Sequence, residues 1–195
     1  MRRLRLFVSS SRDLVVEREV IGQAVAELPV RLGWEIGHTP GPEAPPGPAP
    51  VSAAQCDIYI IVLGMDLTAP MGVEWHQARR AGQVPLAFRK AVHPSPAADL
   101  FQRESGIEWV TFEEAGQLKR LVLEALARRL LERGEFFGLH LPEVEALSAL
   151  LERLTEEEAP ATLPSEARRG AGRGGVILPS PTPPATPSSH KAPPA

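Results

Sequence analysis

The residues best able to do chemistry fall in two short segments, each of which follows an apolar run. The first segment holds the hydroxyls of Ser9, Ser10 and Ser11, and the second begins at Gly64. Hydroxyls and backbone N–H groups at the start of a helix can bind phosphate or another anion, and serines there also serve as helix caps. The sequence therefore predicts either an anion-binding loop or a helix cap at Ser9 to Ser11.

Four acidic residues near these segments are candidate site residues. Asp13 and Glu17 are four apart, and Glu17 continues the inward line of a helix, where an ion pair explains it somewhat better than catalysis. Asp66 either binds a ribose hydroxyl or caps a turn, and the turn is favoured. Glu74 shares a helical line with Ala78 and should point into a crevice, unless it only stabilises the start of its helix.

Other reactive residue types give no recognisable site. The segment after the first apolar run has no G-x-G-x-x-G, no Walker lysine and no G-x-S-x-G, which excludes the usual dinucleotide, P-loop and hydrolase motifs. A single cysteine, Cys56, rules out an internal disulfide and is predicted to pack as a small apolar residue. His76 and His93 lack partners at metal-ligand spacing, so we predict no metal site. Trp75 and Trp109 are expected to pack in the core.

Composition limits the partners. The 195 residues include 21 basic and 24 acidic side chains, a net charge of −3, so nucleic acid and anionic membranes are not expected as main partners. The apolar runs are too short to cross a membrane. Together with the cysteine content, this predicts a soluble cytoplasmic protein without a resident cofactor.

The elements that must position these residues alternate between strand and helix. This order is typical of a parallel sheet covered by helices, and we predict a three-layer α/β/α fold with five parallel strands. Ligands in such sheets bind at the carboxyl ends of the strands, where the candidate segments fall. The strands are predicted over 4–8, 30–36, 57–63, 84–88 and 108–112, and the helices over 12–28, 71–81, 95–104 and 113–133.

Beyond this α/β domain, assigned to residues 1–133, the pattern changes. Residues 134–158 are predicted to form a helical extension, in which a helix over 142–157 has leucines on one face. That face must pack against the domain itself or against another chain, by self-association or with a protein partner. Residues 159–195 are rich in proline and glycine and are predicted to be a disordered tail.

Four segments resemble the domain-of-unknown-function family 4062. They are Arg5-Leu-Phe-Val-Ser-Ser-Ser-Arg-Asp-Leu14, Cys56-Asp-Ile-Tyr-Ile-Ile-Val-Leu-Gly64, Gly72-Val-Glu-Trp-His-Gln-Ala78 and Gly82-Gln-Val-Pro-Leu-Ala-Phe88. Such domains stand in bacterial multidomain proteins, often ahead of signal-transduction NTPase modules, and are distantly similar to nucleoside deoxyribosyltransferases and TIR domains. The resemblance implies a flavodoxin-like or TIR-like fold and a sensor or effector role in bacterial signalling or defence.

The resemblance also implies a role for Glu74. In the deoxyribosyltransferase and TIR groups, a glutamate at a similar position attacks or stabilises the anomeric carbon of a nucleoside or of the NAD ribose. The chain departs from those groups at Asp66-Leu67, where Tyr-Gly is usual. The implied activity is that of a nucleoside or NAD N-glycosidase, with a nucleotide-like ligand. The alternative is a non-catalytic interaction module that recruits partners through residues 142–157.

Overall fold

The computed structural model of the chain describes residues 3–40 and 51–158, which belong to one compact unit. The predicted disordered tail lies outside the described residues. The elements, in chain order, are β1 (Arg3–Ser10), α1 (Val15–Glu27), β2 (Gly33–His38), β3 (Ile58–Leu63), α2 (Ala69–Arg80), β4 (Leu86–Lys90), α3 (Pro96–Glu104), β5 (Val110–Phe112), α4 (Ala115–Glu132), α5 (Gly134–Phe137) and α6 (Leu141–Glu158).

The five strands form one parallel sheet in the order β2-β1-β3-β4-β5. This confirms the predicted five-stranded α/β architecture, and the strand order is that of flavodoxin-like folds. The order reverses between β1 and β3, so their connections leave on opposite faces, and sheets of this kind bind ligands at that point, beyond the carboxyl ends of the two strands. The two segments singled out in the sequence follow these two strands.

Strand β3 is central, and all six of its residues are buried. Because side chains alternate along a strand, its residues supply both faces of the sheet. Ile58, Ile60 and Val62 pack with α1, α4 and α6 in one apolar cluster. Tyr59, Ile61 and Leu63 pack in a second cluster with α2 and α3. A run without polar interruptions is therefore what a strand covered on both sides requires.

The apolar face of α6 packs against the domain itself, which decides between the two partners considered for it. Leu147, Leu150 and Leu154 are buried in the same cluster as α4 and the sheet. Glu143 fastens the start of the helix, because its carboxylate accepts hydrogen bonds from the backbone N–H groups of Arg31 and His140, at 2.7 and 2.9 Å. In the described part of the chain, no helix is long and apolar enough to cross a membrane.

Several boundaries differ from those predicted because pairing between strands overrides local pattern. Strand β2 begins at Gly33 rather than at residue 30, since its register on β1 runs from Arg3↔Gly33 to Val8↔His38. Strand β4 extends through the polar residue Lys90, which pairs with β5. The first helix begins at Val15 rather than at residue 12. The short helix α5, a single turn, lies within the predicted helical extension but was not predicted as a separate helix.

Candidate functional site

The three serines do not cap the first helix, so that part of the prediction was wrong. Ser9 and Ser10 are the last residues of β1, and Leu14 occupies the cap position of α1 without a side-chain hydrogen bond. All three serines are 1 % exposed or less. Alternation along the strand sends the Ser9 and Ser10 hydroxyls to opposite faces of the sheet. The strand end therefore supplies hydroxyls to two different environments.

On the α2 face, Ser9 meets the carboxylate of Glu74. The Ser9 hydroxyl donates a hydrogen bond to Glu74 Oε2 at 2.5 Å, and the Thr39 hydroxyl donates to the same oxygen at 2.7 Å. Glu74 is 7 % exposed, and its other oxygen, Oε1, accepts none of the hydrogen bonds formed among the described residues. Two donors thus hold one oxygen of a nearly buried carboxylate and leave the second available.

Thr39 is a member of this cluster that the sequence analysis missed. It follows β2 directly, and its backbone N–H donates to the carbonyl of Val8 at 3.1 Å. Its hydroxyl also accepts a hydrogen bond from the N–H of Ser10, at 3.1 Å. Only the pairing of β2 with β1 brings residue 39 beside residue 9. The one available signal was that Thr39 follows a strand adjacent to β1, at the same edge of the sheet.

Glu74 does not stabilise the start of its helix, which was the competing explanation for its position. Helix α2 begins at Ala69, so Glu74 is its sixth residue, and the first turn contains no acid. The favourable interaction with the helix dipole falls off within the first turn. Met71, Glu74 and Ala78 are the buried residues of α2, which confirms that Glu74 lies on the inward face.

Burial controls the ionisation of this cluster. Desolvation raises the pKa of Glu74 above its ordinary value, and the hydrogen bonds from Ser9 and Thr39 partly oppose that rise. Tyr59 lies in the same environment, where desolvation raises its pKa, the Ser9 hydroxyl lowers it and the charge of Glu74 raises it. Among the described residues, the buried Tyr59 hydroxyl has no hydrogen-bond partner that satisfies the usual geometry. Glu74 therefore holds its proton more tightly than a solvated glutamate.

The other face of the same strand end carries cations. Arg18 donates to the Ser10 hydroxyl at a long 3.4 Å. Desolvation lowers the pKa of His38, the last residue of β2, and the charge of Arg18 lowers it further. Glu17 forms the ion pair that was favoured for it, with Lys90 of β4 at 2.7 Å. Its partner is thus a lysine on the sheet rather than a neighbouring arginine.

The remaining candidate residues join the loops around the crevice. The Ser11 hydroxyl donates to the carbonyl of Asp66 at 2.7 Å and accepts from the N–H of Gly64 at 3.0 Å, so it ties the two loops together. Asp13 accepts from the N–H of Met65 at 3.1 Å. A Cβ at Gly64 would stand 2.9 Å from Asp13 Cγ, so a larger residue there would force the Asp13 side chain to move away from the loop.

Asp66 caps a turn, as favoured from the sequence. Its Oδ1 accepts hydrogen bonds from the N–H of Leu67 at 2.8 Å and from the hydroxyl of Ser95 at 2.5 Å. Ser95 in turn caps α3, where it accepts a hydrogen bond from the N–H of Ala98. The carboxylate is therefore occupied by structural contacts, although Asp66 itself is exposed.

The aromatic residues and the cysteine are packing residues, as predicted. Tyr59, Trp75, Phe101 and Trp109 form a chain of ring contacts with centroid separations of 6.0–6.5 Å. Cys56 is buried, and desolvation raises the pKa of its thiol to about 11. A thiol with that pKa is a poor nucleophile near neutral pH.

Two cavities lie away from the cluster of Ser9, Thr39 and Glu74. One, of about 680 Å³, opens beside the first residues of β4 and β5 and is lined by Trp75, Leu86 and Leu121 among others. The second, of about 720 Å³, lies between the chain before β2 and the start of α6. Neither is lined by Ser9, Thr39 or Glu74. Within the described residues, no group of three or more His, Cys, Asp or Glu side chains could hold a metal ion.

With this geometry established, the chain was compared with known proteins. No protein-family model matches it, and no curated protein matches it. The cluster formed by Ser9, Thr39 and Glu74 is therefore the feature of the chain that bears most directly on its function.

Proposed function

We propose that this domain binds a nucleoside- or nucleotide-type ligand at the carboxyl ends of β1 and β3 and that Glu74 cleaves its N-glycosidic bond. The observation that carries the proposal is the Glu74 carboxylate, nearly buried at this edge and hydrogen-bonded through one oxygen by Ser9 and Thr39. A desolvated carboxylate without a cationic partner is costly to maintain and is typical of active sites.

Cleavage of an N-glycosidic bond suits such a group. The bond between the anomeric carbon and the base nitrogen breaks, the nitrogen keeps the electron pair, and positive charge develops on the sugar as an oxocarbenium ion. Glu74 either stabilises that charge or forms a covalent ester through Oε1, the oxygen that Ser9 and Thr39 leave open. Water then adds at the anomeric carbon and, where an ester has formed, displaces the Glu74 carboxylate. The proton that water loses passes to the departing nucleobase, or to solvent when the leaving group is nicotinamide, which departs as a neutral base. No redox partner or metal is required.

The hydroxyls define the orientation of the carboxylate. Because Ser9 and Thr39 both donate to Oε2, they fix the plane of the group and stabilise its ionised form. Ser9 belongs to β1 and Thr39 follows β2, so the two donors are held by paired strands rather than by a free loop. A catalytic carboxylate needs this kind of fixed support.

The wider role is proposed from the resemblance stated above. Membership of the family 4062, and with it a sensor or effector role in bacterial signalling or defence, is consistent with a flavodoxin-like domain that has a nucleotide-type site. The alternative, a non-catalytic module that recruits partners through residues 142–157, has less support, because the leucine face of α6 is buried against its own domain.

The test compares base release by the wild-type chain and by Glu74→Gln. Each protein is incubated with NAD and with a panel of nucleosides and nucleotides, and free nicotinamide or base is followed by chromatography. Glu74→Gln should lower turnover by orders of magnitude, because it removes the negative charge but keeps the volume and an acceptor for Ser9 and Thr39.

The matched control is Glu19→Gln, an exposed glutamate of α1, which should release base at the wild-type rate. Both variants are first checked for a native melting curve. Equal release by wild type and Glu74→Gln, or no release by wild type from any compound, would remove the catalytic proposal.

A further inference from the structure

Arg18 is a cation at the site edge that the structure does not neutralise. Its side chain is half-buried, and its one hydrogen bond within the described residues is the 3.4 Å contact with Ser10. It forms no ion pair with a described carboxylate. A guanidinium has five donors in a planar fork, so most of its hydrogen-bonding capacity is unused here.

Lys90, a cation at the carboxyl end of β4, provides the contrast. Its ammonium lies 2.7 Å from Glu17, whose side chain is only 5 % exposed, so the two charges compensate each other within the fold. Lys90 is thus paired with a buried acid, whereas Arg18 forms no ion pair with any acid among the described residues. An unpaired guanidinium that is partly withdrawn from water is suited to binding an anion.

His38 extends this group. It ends β2, directly before Thr39, and its register partner on β1 is Val8, so its side chain lies on the same face of the sheet as that of Ser10, which Arg18 contacts. The charge of the guanidinium lowers the pKa of His38. Desolvation is the larger cause of that shift. A neutral imidazole can donate one N–H to an anion without adding a second charge beside Arg18.

The two halves of the edge are joined by consecutive residues. Ser9 contacts Glu74 on one face of β1, and Ser10 contacts Arg18 on the other. Thr39 connects them, because its hydroxyl donates to Glu74 and accepts from the Ser10 N–H. A ligand lying across the end of β1 could therefore reach the carboxylate with one part and the guanidinium with another.

We infer that the ligand carries a phosphate, bound by Arg18 and His38, while its sugar faces Glu74 across the end of β1. The substrate class is thus a nucleoside phosphate or a dinucleotide, not a neutral nucleoside. In these compounds a furanose ring and one methylene group separate the anomeric carbon from the phosphate, so the sugar and the phosphate can contact different side chains. This inference rests on the proposed function and narrows its substrate.

The experiment measures how much a phosphate adds to binding. Calorimetry measures dissociation constants on the full chain carrying Glu74→Gln, so that turnover does not consume the ligand. The two pairs compared are adenosine with adenosine 5′-monophosphate, and nicotinamide riboside with nicotinamide mononucleotide. The phosphorylated member of each pair should bind at least about tenfold more tightly, as expected for a charge-assisted contact. Adding Arg18→Gln should abolish that difference and leave binding of the nucleosides unchanged.

Two controls make the result specific. Arg80→Gln removes an exposed arginine at the end of α2 and should keep the phosphate preference. Inorganic phosphate should raise the melting temperature of the wild-type chain but not that of Arg18→Gln.

The outcomes separate the two proposals. Equal affinity for both members of each pair, or a phosphate preference that survives Arg18→Gln, would overturn the phosphate site and leave N-glycosidic cleavage standing. Stabilisation by inorganic phosphate that requires Arg18, without binding of any nucleoside or nucleotide, would support the anion site and refute the proposed function. Absence of all binding would overturn both.

Discussion

The hydrogen bond from Ser9 to Glu74 should make the stability of the protein depend on the charge of that one carboxylate. Replacing Ser9 by Ala removes a donor 2.5 Å from Oε2 while changing little else in volume. A hydrogen bond to a charged group contributes about 1.5–3 kcal/mol, and one to a neutral group about 0.5–1.5 kcal/mol. Ser9→Ala should therefore cost about 1 kcal/mol more in the wild-type chain than in the Glu74→Gln background, where the acceptor is neutral.

The cost of Ser9→Ala differs between the wild-type and the Glu74→Gln backgrounds, and the pH dependence of this difference follows from the direction in which Ser9 shifts the pKa of Glu74. The Ser9 hydroxyl lowers the pKa of Glu74, so it stabilises the ionised form. The extra cost of Ser9→Ala is therefore fully present above the folded-state pKa of Glu74 and declines as pH falls through it. Because burial raises that pKa above the ordinary 4.5, the decline should begin at a higher pH than for a solvated glutamate. In the Glu74→Gln background the cost should not change with pH.

The assay is urea unfolding of the four proteins of this cycle at several pH values between about 5 and 9, with the midpoints compared at equal m-values. Ser10→Ala is the matched control, since that hydroxyl lies on the opposite face and contacts Arg18 instead. Ser10→Ala should lower the free energy of unfolding by the same amount in the wild-type and in the Glu74→Gln backgrounds. The reasoning would be refuted if Ser9→Ala cost the same in both backgrounds at every pH, or if Ser10→Ala coupled to Glu74 as strongly.

Two further predictions concern the parts that support the site. Leu147→Ala should lower the free energy of unfolding by about 2–5 kcal/mol, because Leu147 is fully buried between α6 and the domain. Leu141→Ala, at a position that is 70 % exposed, should change the free energy of unfolding by less than about 0.5 kcal/mol. Equal effects of the two substitutions would show that α6 is not docked in solution. Cys56, with its thiol pKa raised to about 11, should react slowly with a thiol reagent at pH 8 in the native protein and quickly in urea, and fast labelling of the native chain would contradict the burial.

Much of the fold could be predicted from sequence because apolar pattern and chain order carry it. The run from Ile58 to Leu63 has no charged residue, as expected of a strand buried on both faces, and the α6 leucines recur at helical spacing. The limits of β2 could not be predicted in the same way. Its register is fixed by β1 partners some thirty residues away, such as Arg3↔Gly33, and not by its own side chains.

Only some residues of the candidate site could be predicted from the sequence. Glu74 could be selected because the spacing to Ala78 puts it on an inward helical line. Thr39 could not, because nothing local distinguishes it from other threonines before the strands are paired. Of the two roles considered for the serines, helix capping was wrong, and ligand binding stays a prediction. Helix α1 starts four residues after Ser11, so their hydroxyls are free to bond across the sheet.

A comparison of Glu17 and Glu74, the two glutamates that are buried among the described residues, shows why Glu74 calls for a functional explanation. Glu17 is 4 % exposed, and Lys90 compensates its charge at 2.7 Å. Glu74 is 7 % exposed, yet its described partners are two neutral hydroxyls, and burial leaves its pKa raised. A carboxylate whose folded pKa is raised destabilises the folded state once pH exceeds the ordinary glutamate value, so Glu74 is a net cost at neutral pH. An apolar residue in place of Glu74 would avoid that cost. A carboxylate that is present in spite of the cost is the pattern expected of a group that serves chemistry rather than stability.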